Sequence, residues 1–150
     1  MTFEQGYIAV RNYAEAAIRT AWPDVAKVYV GPMRQEPKDY PHGAVWRSDA
    51  VVVANETPST DTATVVFDVV GRFDYGSGSA LDGADLDGEI VGRWNVLATA
   101  LNASDHPGTW AGESVGFLSQ VQQMIESLAT PDEKHYEVGC RWQVTISFTR

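Results

Sequence analysis

The sequence predicts an α+β domain, and three patterns carry that expectation. From Tyr136 onward the apolar residues Tyr136, Val138, Cys140, Trp142, Val144, Ile146 and Phe148 fall on every second position. That period marks a half-buried strand with one face on a core. Two β-rich runs, about Ala44 to Asn55 and about Thr62 to Phe73, flank the polar turn Asn55-Glu56-Thr57-Pro58-Ser59 and read as an antiparallel hairpin. Two further segments, Thr2 to Ala21 and about Asp87 to Ala103, place apolar residues at the three- and four-residue spacing of amphipathic helices.

In the first helix Phe3, Tyr7, Val10, Ala14, Ala17, Ile18 and Ala21 share one face. Thr2 and Gln5 fit a capping box, and Trp22-Pro23 supplies the stop. A first strand is expected over about Val25 to Val30, ended by Gly31-Pro32. The segment Pro32 to Gly43 contains Pro32, Pro37 and Pro41, so it reads as a loop with restricted backbone. In the later strand of the hairpin Val65, Phe67, Val69 and Phe73 point one way, and Thr64, Asp68 and Arg72 the other. Val66 and Val70 also fall on that outer side, which makes them candidates for a surface that a partner covers.

Asp74 to Gly88 holds four glycines and reads as a mobile loop. The helix after it presents Ile90, Trp94, Leu97, Ala98 and Leu101 on one face, and the aspartates at its start suit the positive end of the helix dipole. Asp105-His106-Pro107-Gly108 breaks it. Val115 to Leu128 admits two readings. Leu118, Val121, Ile125 and Leu128 have helical spacing, and Gln122, Gln123 and Glu126 favour a helix. The other reading is a strand that turns back through Thr130-Pro131-Asp132-Glu133 into the final strand. Residue preference tips the balance to helix.

The 150 residues fit a single domain, large enough to bury roughly two thirds of its unfolded surface. Eleven Lys and Arg stand against twenty Asp and Glu, for a formal charge of −9 and a pI near 4.6. This balance argues against wrapping nucleic acid, which needs a cationic surplus to neutralise phosphates. Cys140 is the single cysteine, so neither an internal disulfide nor a cysteine-based zinc site is expected. No apolar run approaches the roughly 20 residues that span a bilayer. The start, Met1-Thr2-Phe3-Glu4-Gln5, lacks the features of a signal peptide, so a cytoplasmic location is the default. The strand pattern runs to the last residues, and no C-terminal tail is expected.

Several motifs imitate chemistry. Gly112-Glu113-Ser114-Val115-Gly116 matches a nucleophile elbow, and Asp132 and His135 follow in the Ser, Asp, His order of α/β-hydrolases. The elbow needs a buried strand before it, however, and Ser104 to Ala111 is polar with Pro107 and Gly108. Asp82 to Glu89 resembles a calcium loop, but the alignment puts Gly83 and Trp94 where carboxylates belong. Gly76-Ser77-Gly78-Ser79 lacks the lysine of a phosphate loop. His42, His106 and His135 show no ligand spacing and are expected as solvated side chains. Trp94 and Trp142 fall on core faces, while Trp22, Trp46 and Trp110 sit near element ends or a loop, where they suit the core edge or an interface. No catalytic residue, metal or cofactor is expected.

The order of elements resembles the tail terminator family of long-tailed bacteriophages (minor tail protein U-like). The residues that carry the likeness are the opening helix Thr2–Trp22, Asp39-Tyr40-Pro41, the strand Val65-Val66-Phe67-Asp68-Val69-Val70, and Thr130-Pro131-Asp132 leading to Trp142-Gln143-Val144-Thr145-Ile146-Ser147-Phe148. The resemblance implies a mainly antiparallel sheet with helices packed on one face, and a strand at 115–128 paired with the last one. It implies a homohexameric ring in the virion, at the head-proximal end of the tail, assembled in the host cytoplasm. Its partners would be the tail tube protein and a head completion or connector protein, with DNA only as passing cargo. No catalytic residues carry over. Contacts are expected from Arg34 and Tyr40 in the Pro-rich loop and from Tyr75 in the Gly-rich one. Two other functions compete: a small monomeric adaptor or immunity-type binding module, and a serine hydrolase using Ser114.

Overall fold

Helix α1 (Phe3–Ala21) starts where its own side chains dictate. The Gln5 amide donates to Thr2 Oγ1 at 3.3 Å and the Thr2 amide donates to Gln5 Oε1 at 2.9 Å, completing the capping box. At the other end the Trp22 amide donates to the Ile18 carbonyl at 2.8 Å before Pro23 stops the helix. Val10, Ala14 and Ile18 are fully buried, as the spacing predicts. In this computed structural model the described residues are 1–35, 37–55, 58–75, 83–102, 108–110, 113–115, 117–127 and 135–149.

The sheet is organised by two long central strands. β4 (Thr60–Asp74) and β8 (His135–Thr149) pair antiparallel over their whole length, from Thr60 opposite Thr149 to Asp74 opposite His135. On the far side of β4 lies β2 (His42–Arg47), and beyond it β1 (Lys27–Val30). The β1–β2 pair is parallel, which requires the chain to travel back along the sheet between them. The Pro-rich segment 31–41 makes that return, opened by Gly31 at a φ of +96°.

The expected strand from Ala44 to Asn55 is two strands. β2 ends at Arg47 opposite Phe67, and β3 (Val52–Asn55) resumes with Val52 opposite Thr64. Residues 48–51 therefore face only 65 and 66, and the surplus loops out as a bulge. The Ser48 amide and hydroxyl both donate to the Val66 carbonyl, at 2.9 and 3.3 Å, which pins the bulge in place.

The segment whose residues favour a helix is strand β7 (Phe117–Ser127), antiparallel to β8 and last in the sheet. The residues whose spacing suggests a helix do not share a face in this strand: Val121 lies opposite the core residue Trp142, and Ile125 opposite Gly139 on the other side. The register shift at Val121/Gln123 places Met124 opposite Cys140, so Val121 and Met124, three apart, both reach the core.

Helix α2 (Gly83–Leu101) begins four residues earlier than predicted. Of the expected Gly-rich loop, 76–82 lie outside the described residues, and Gly83–Gly88 is helical. Ile90, Leu97 and Leu101 are buried against Phe73, Tyr136, Val138 and the rest of one continuous core. Both helices cover the same face of the sheet, giving a two-layer α+β fold. A separate hairpin, β5 (Gly108–Trp110) with β6 (Glu113–Val115), lies beside α1.

Candidate functional site

The helix-free face of the sheet is built by the second half of each alternation. Asp68, Val70 and Arg72 of β4 meet Arg141, Gly139 and Glu137 of β8. Two ion pairs cross the strands here: Arg141 Nε to Asp68 Oδ1 at 3.1 Å and Arg72 Nε to Glu137 Oε2 at 2.9 Å. The hydrogen bond that Arg141 donates to Asp68, then the charge of Asp68, moves the Arg141 pKa further up.

Val70 sits between these pairs, with Ala44 and Gly139 beside it, and is 1% exposed. A Cβ on Gly139 would stand only 2.8 Å from Val70 Cγ1, so the valine leans into the space that glycine leaves. This corrects the expectation of a partner-covered Val70: the chain itself already covers it. Val66, opposite Gln143, is half-buried and remains at the surface.

At the end of this face the Pro-rich loop closes onto the sheet through an aromatic cluster. The Tyr40 ring stacks on His135 at 3.6 Å and tilts against His42 at 4.8 Å, and His42 meets Tyr29 edge-on at 5.7 Å. His135 Nε2 lies 2.6 Å from Asp74 Oδ1, its cross-strand neighbour. His42 Nδ1 is 2.8 Å from the Asp39 carbonyl, and the Tyr29 hydroxyl donates to Asp39 Oδ2 at 2.9 Å. That bond, ahead of burial, raises the Tyr29 pKa. A shallow concavity of 540 Å³ is lined by Pro37, Lys38, Tyr40, Asp74 and His135.

Two histidines expected as solvated are therefore structural, His42 being 1% exposed. The readable signal was positional, since His42 opens β2 and His135 opens β8. His106 lies outside the described residues. Arg34 is exposed in the same loop, whereas Tyr75 packs on Tyr136 at 5.5 Å and belongs to the core edge.

The second concave feature went unread in the sequence. A groove of 270 Å³ runs between the first half of α1 and the end of β2, lined by Phe3, Glu4, Tyr7, Arg11, Trp46 and Arg47 among others. The Arg11 guanidinium stands 5.9 Å from the Tyr7 ring centre, and its buried Nε has no hydrogen-bond partner among the described residues. Neither Arg11 nor Arg47 forms an ion pair among the described residues. The available signal was Arg11 itself, a cation four residues after Tyr7 on a mostly apolar helix face.

Of the residues in motifs with a chemical pattern, His135 belongs to the aromatic cluster above. Ser114 is the middle residue of β6, opposite Thr109, and not at a strand-to-helix turn. Asp132 and Asp82 lie outside the described residues. Asp85 and Asp87 are exposed on α2, two positions and so roughly 200° apart around it, which prevents convergence on one cation. No group of three or more His, Cys, Asp or Glu placed to hold a metal occurs among the described residues. Among them, too, no helix is long and apolar enough to cross a membrane. Burial pushes the Cys140 thiol up to about 12, so it stays protonated.

Large apolar side chains do reach the surface on β3, where Val52 is 66% and Val53 54% exposed. Fold and surface together define a two-layer α+β domain with one helix-free sheet face and an apolar arm at the sheet margin. No protein-family model matches the chain, and comparison with curated proteins finds no match.

Proposed function

We propose that this chain is a structural subunit of the tail-terminator kind, which assembles into a homohexameric ring, caps the tail tube and offers a joining surface to a head completion protein. The observation that carries the reading is the β3 arm. Val52 and Val53 hold apolar side chains in water at a sheet margin, where a folded monomer gains nothing from them. Contact with another subunit would bury both. The element order supports the same reading, including a strand at 117–127 paired with the last one.

The mechanism is geometric rather than catalytic. Closed symmetry fixes the number of subunits in the ring, and tube growth ends because the face turned away from the tube takes no further tube ring. The loops at its two ends then meet different partners, the tube on one side and the connector on the other. A charge of −9 per subunit keeps passing DNA from adhering. The ring belongs to the head-proximal end of the virion tail and forms in the host cytoplasm.

Native mass spectrometry at high protein concentration, with and without magnesium, tests the reading. A six-subunit species is expected, and Val53→Asp is expected to dissolve it while leaving the monomer's unfolding midpoint unchanged. A chain that stays monomeric both alone and with tail tube protein would overturn it.

A further inference from the structure

The cationic groove and the acidic start of α2 lie at opposite ends of the molecule. Phe3, which lines the groove, packs on Phe148 at the end of β8. Arg93 of α2 lies over Phe73 and bonds Tyr136 at the beginning of β8, and Asp85 and Asp87 precede it by up to about two turns. The fifteen residues of β8 separate the two regions by about 50 Å. The two cannot meet within one chain.

Their chemistry is complementary. Arg11 and Arg47 bring two cations to the groove against the single carboxylate of Glu4, in a protein whose overall charge is −9. The buried Arg11 Nε lacks an acceptor among the described residues. Asp85 and Asp87 are exposed and form no ion pair among the described residues. We infer that the groove formed by α1 and the end of β2 receives the acidic first turns of α2 from a second copy of this chain. Phe3, Tyr7 and Trp46 line the groove beside the arginines, so a helix seated there displaces water and strengthens a charge pair.

Two different patches meet in this contact, so it is heterologous and repeats head to tail, the arrangement that generates rings. The inference rests on the self-assembly proposed above and identifies its mating surfaces. It also assigns Arg11 and Arg47 a role that the fold does not need.

Charge reversal with cross-complementation tests it by sedimentation velocity at low and high salt. Arg47→Glu alone and the pair Asp85→Lys with Asp87→Lys alone are each expected to weaken assembly at least tenfold. All three sites are exposed, and circular dichroism checks that each variant remains folded. Mixing the two variants is expected to restore assembly, because in an alternating ring every groove again faces the opposite charge. The wild-type assembly should also weaken as salt rises. If the wild type assembles and Arg47→Glu leaves it unchanged, or if mixing restores nothing, the contact is refuted while the ring stands. Binding of an acidic tube protein lost in Arg47→Glu, with self-assembly intact, would give the groove to that partner instead. A wild type that stays monomeric throughout, with tail tube protein present as well as alone, refutes ring and contact together.

Discussion

Val66 and Val70 share one side of β4, yet aspartate at the two positions should have opposite consequences. At Val70 the substitution removes a fully buried side chain, a loss of about 1.5–3 kcal/mol from burial alone. The new carboxylate would enter a row that already contains Asp68 and Glu137, whose arginines are matched to them one to one. A buried carboxylate without a partner adds a penalty of the order of several kcal/mol, or is avoided by taking up a proton. Val70→Asp should therefore cost about 4–5 kcal/mol, a large part of the ~5–15 kcal/mol available to a domain of this kind. Val66→Asp, half exposed beside Gln143, should cost under about 1 kcal/mol. Urea unfolding followed by tryptophan fluorescence measures both, since Trp142 is in the core. Equal losses for the two variants would show that the helix-free face is open at Val70 and that Gly139 and the flanking ion pairs do not close over it.

Gly139→Ala probes the same place from β8. Its methyl group would collide with backbone, the Val69 carbonyl oxygen and, at 2.7 Å, Val70 Cα, so the two central strands must separate. A loss of at least about 2 kcal/mol in urea unfolding is expected, and a neutral result would contradict the close pairing. A pH effect follows from Cys140 and Tyr136, both raised to about 12 with burial as the first cause. Their protonated forms persist in the folded state while the unfolded chain ionises from about pH 9, so stability is full below that pH and is lost progressively as pH climbs toward 12. Thiol labelling by an aromatic disulfide reagent at pH 8 should then proceed only as fast as the protein opens, and fast labelling of the native state would be inconsistent with a buried thiol.

Much of the fold was legible because some signals are local. The capping box needs only Thr2 and Gln5, and the alternation in β8 needs no knowledge of its neighbours. The core faces of β4 and β8 follow from that period alone, and the residues named for them are buried, apart from the half-buried Phe148 near the strand end. The segment from 117 to 127 was misleading for a definable reason. Its glutamines favour helix, and its apolar residues Val121 and Ile125 have helical spacing although the strand turns them to opposite sides of the sheet. The break at 48–51 was hidden in a run that is β-rich throughout.

The candidate site was less legible than the fold. Arg34, Tyr40 and Val66 remain at or near the surface, where an interface could use them. Tyr75 and Val70 are committed inside the chain. His42, Tyr40 and His135 form one cluster although 93 positions separate the two histidines, and Arg11 meets Arg47 across a groove between a helix and a strand.

What the sequence determined by itself is thus the pair of helices, the length and polarity of the final strand, and the side of β4 that faces the core. The tertiary structure alone decided that β8 takes a second partner in β7, that Val70 is covered, and that an arginine-lined groove exists. The physical reason is common to all three. A side-chain period reports which residues share a face, but what lies against that face belongs to another part of the chain. Strand β8 with only β4 beside it would leave a row of backbone amides and carbonyls unbonded, and meeting that demand outweighs the small helix preference of 117–127.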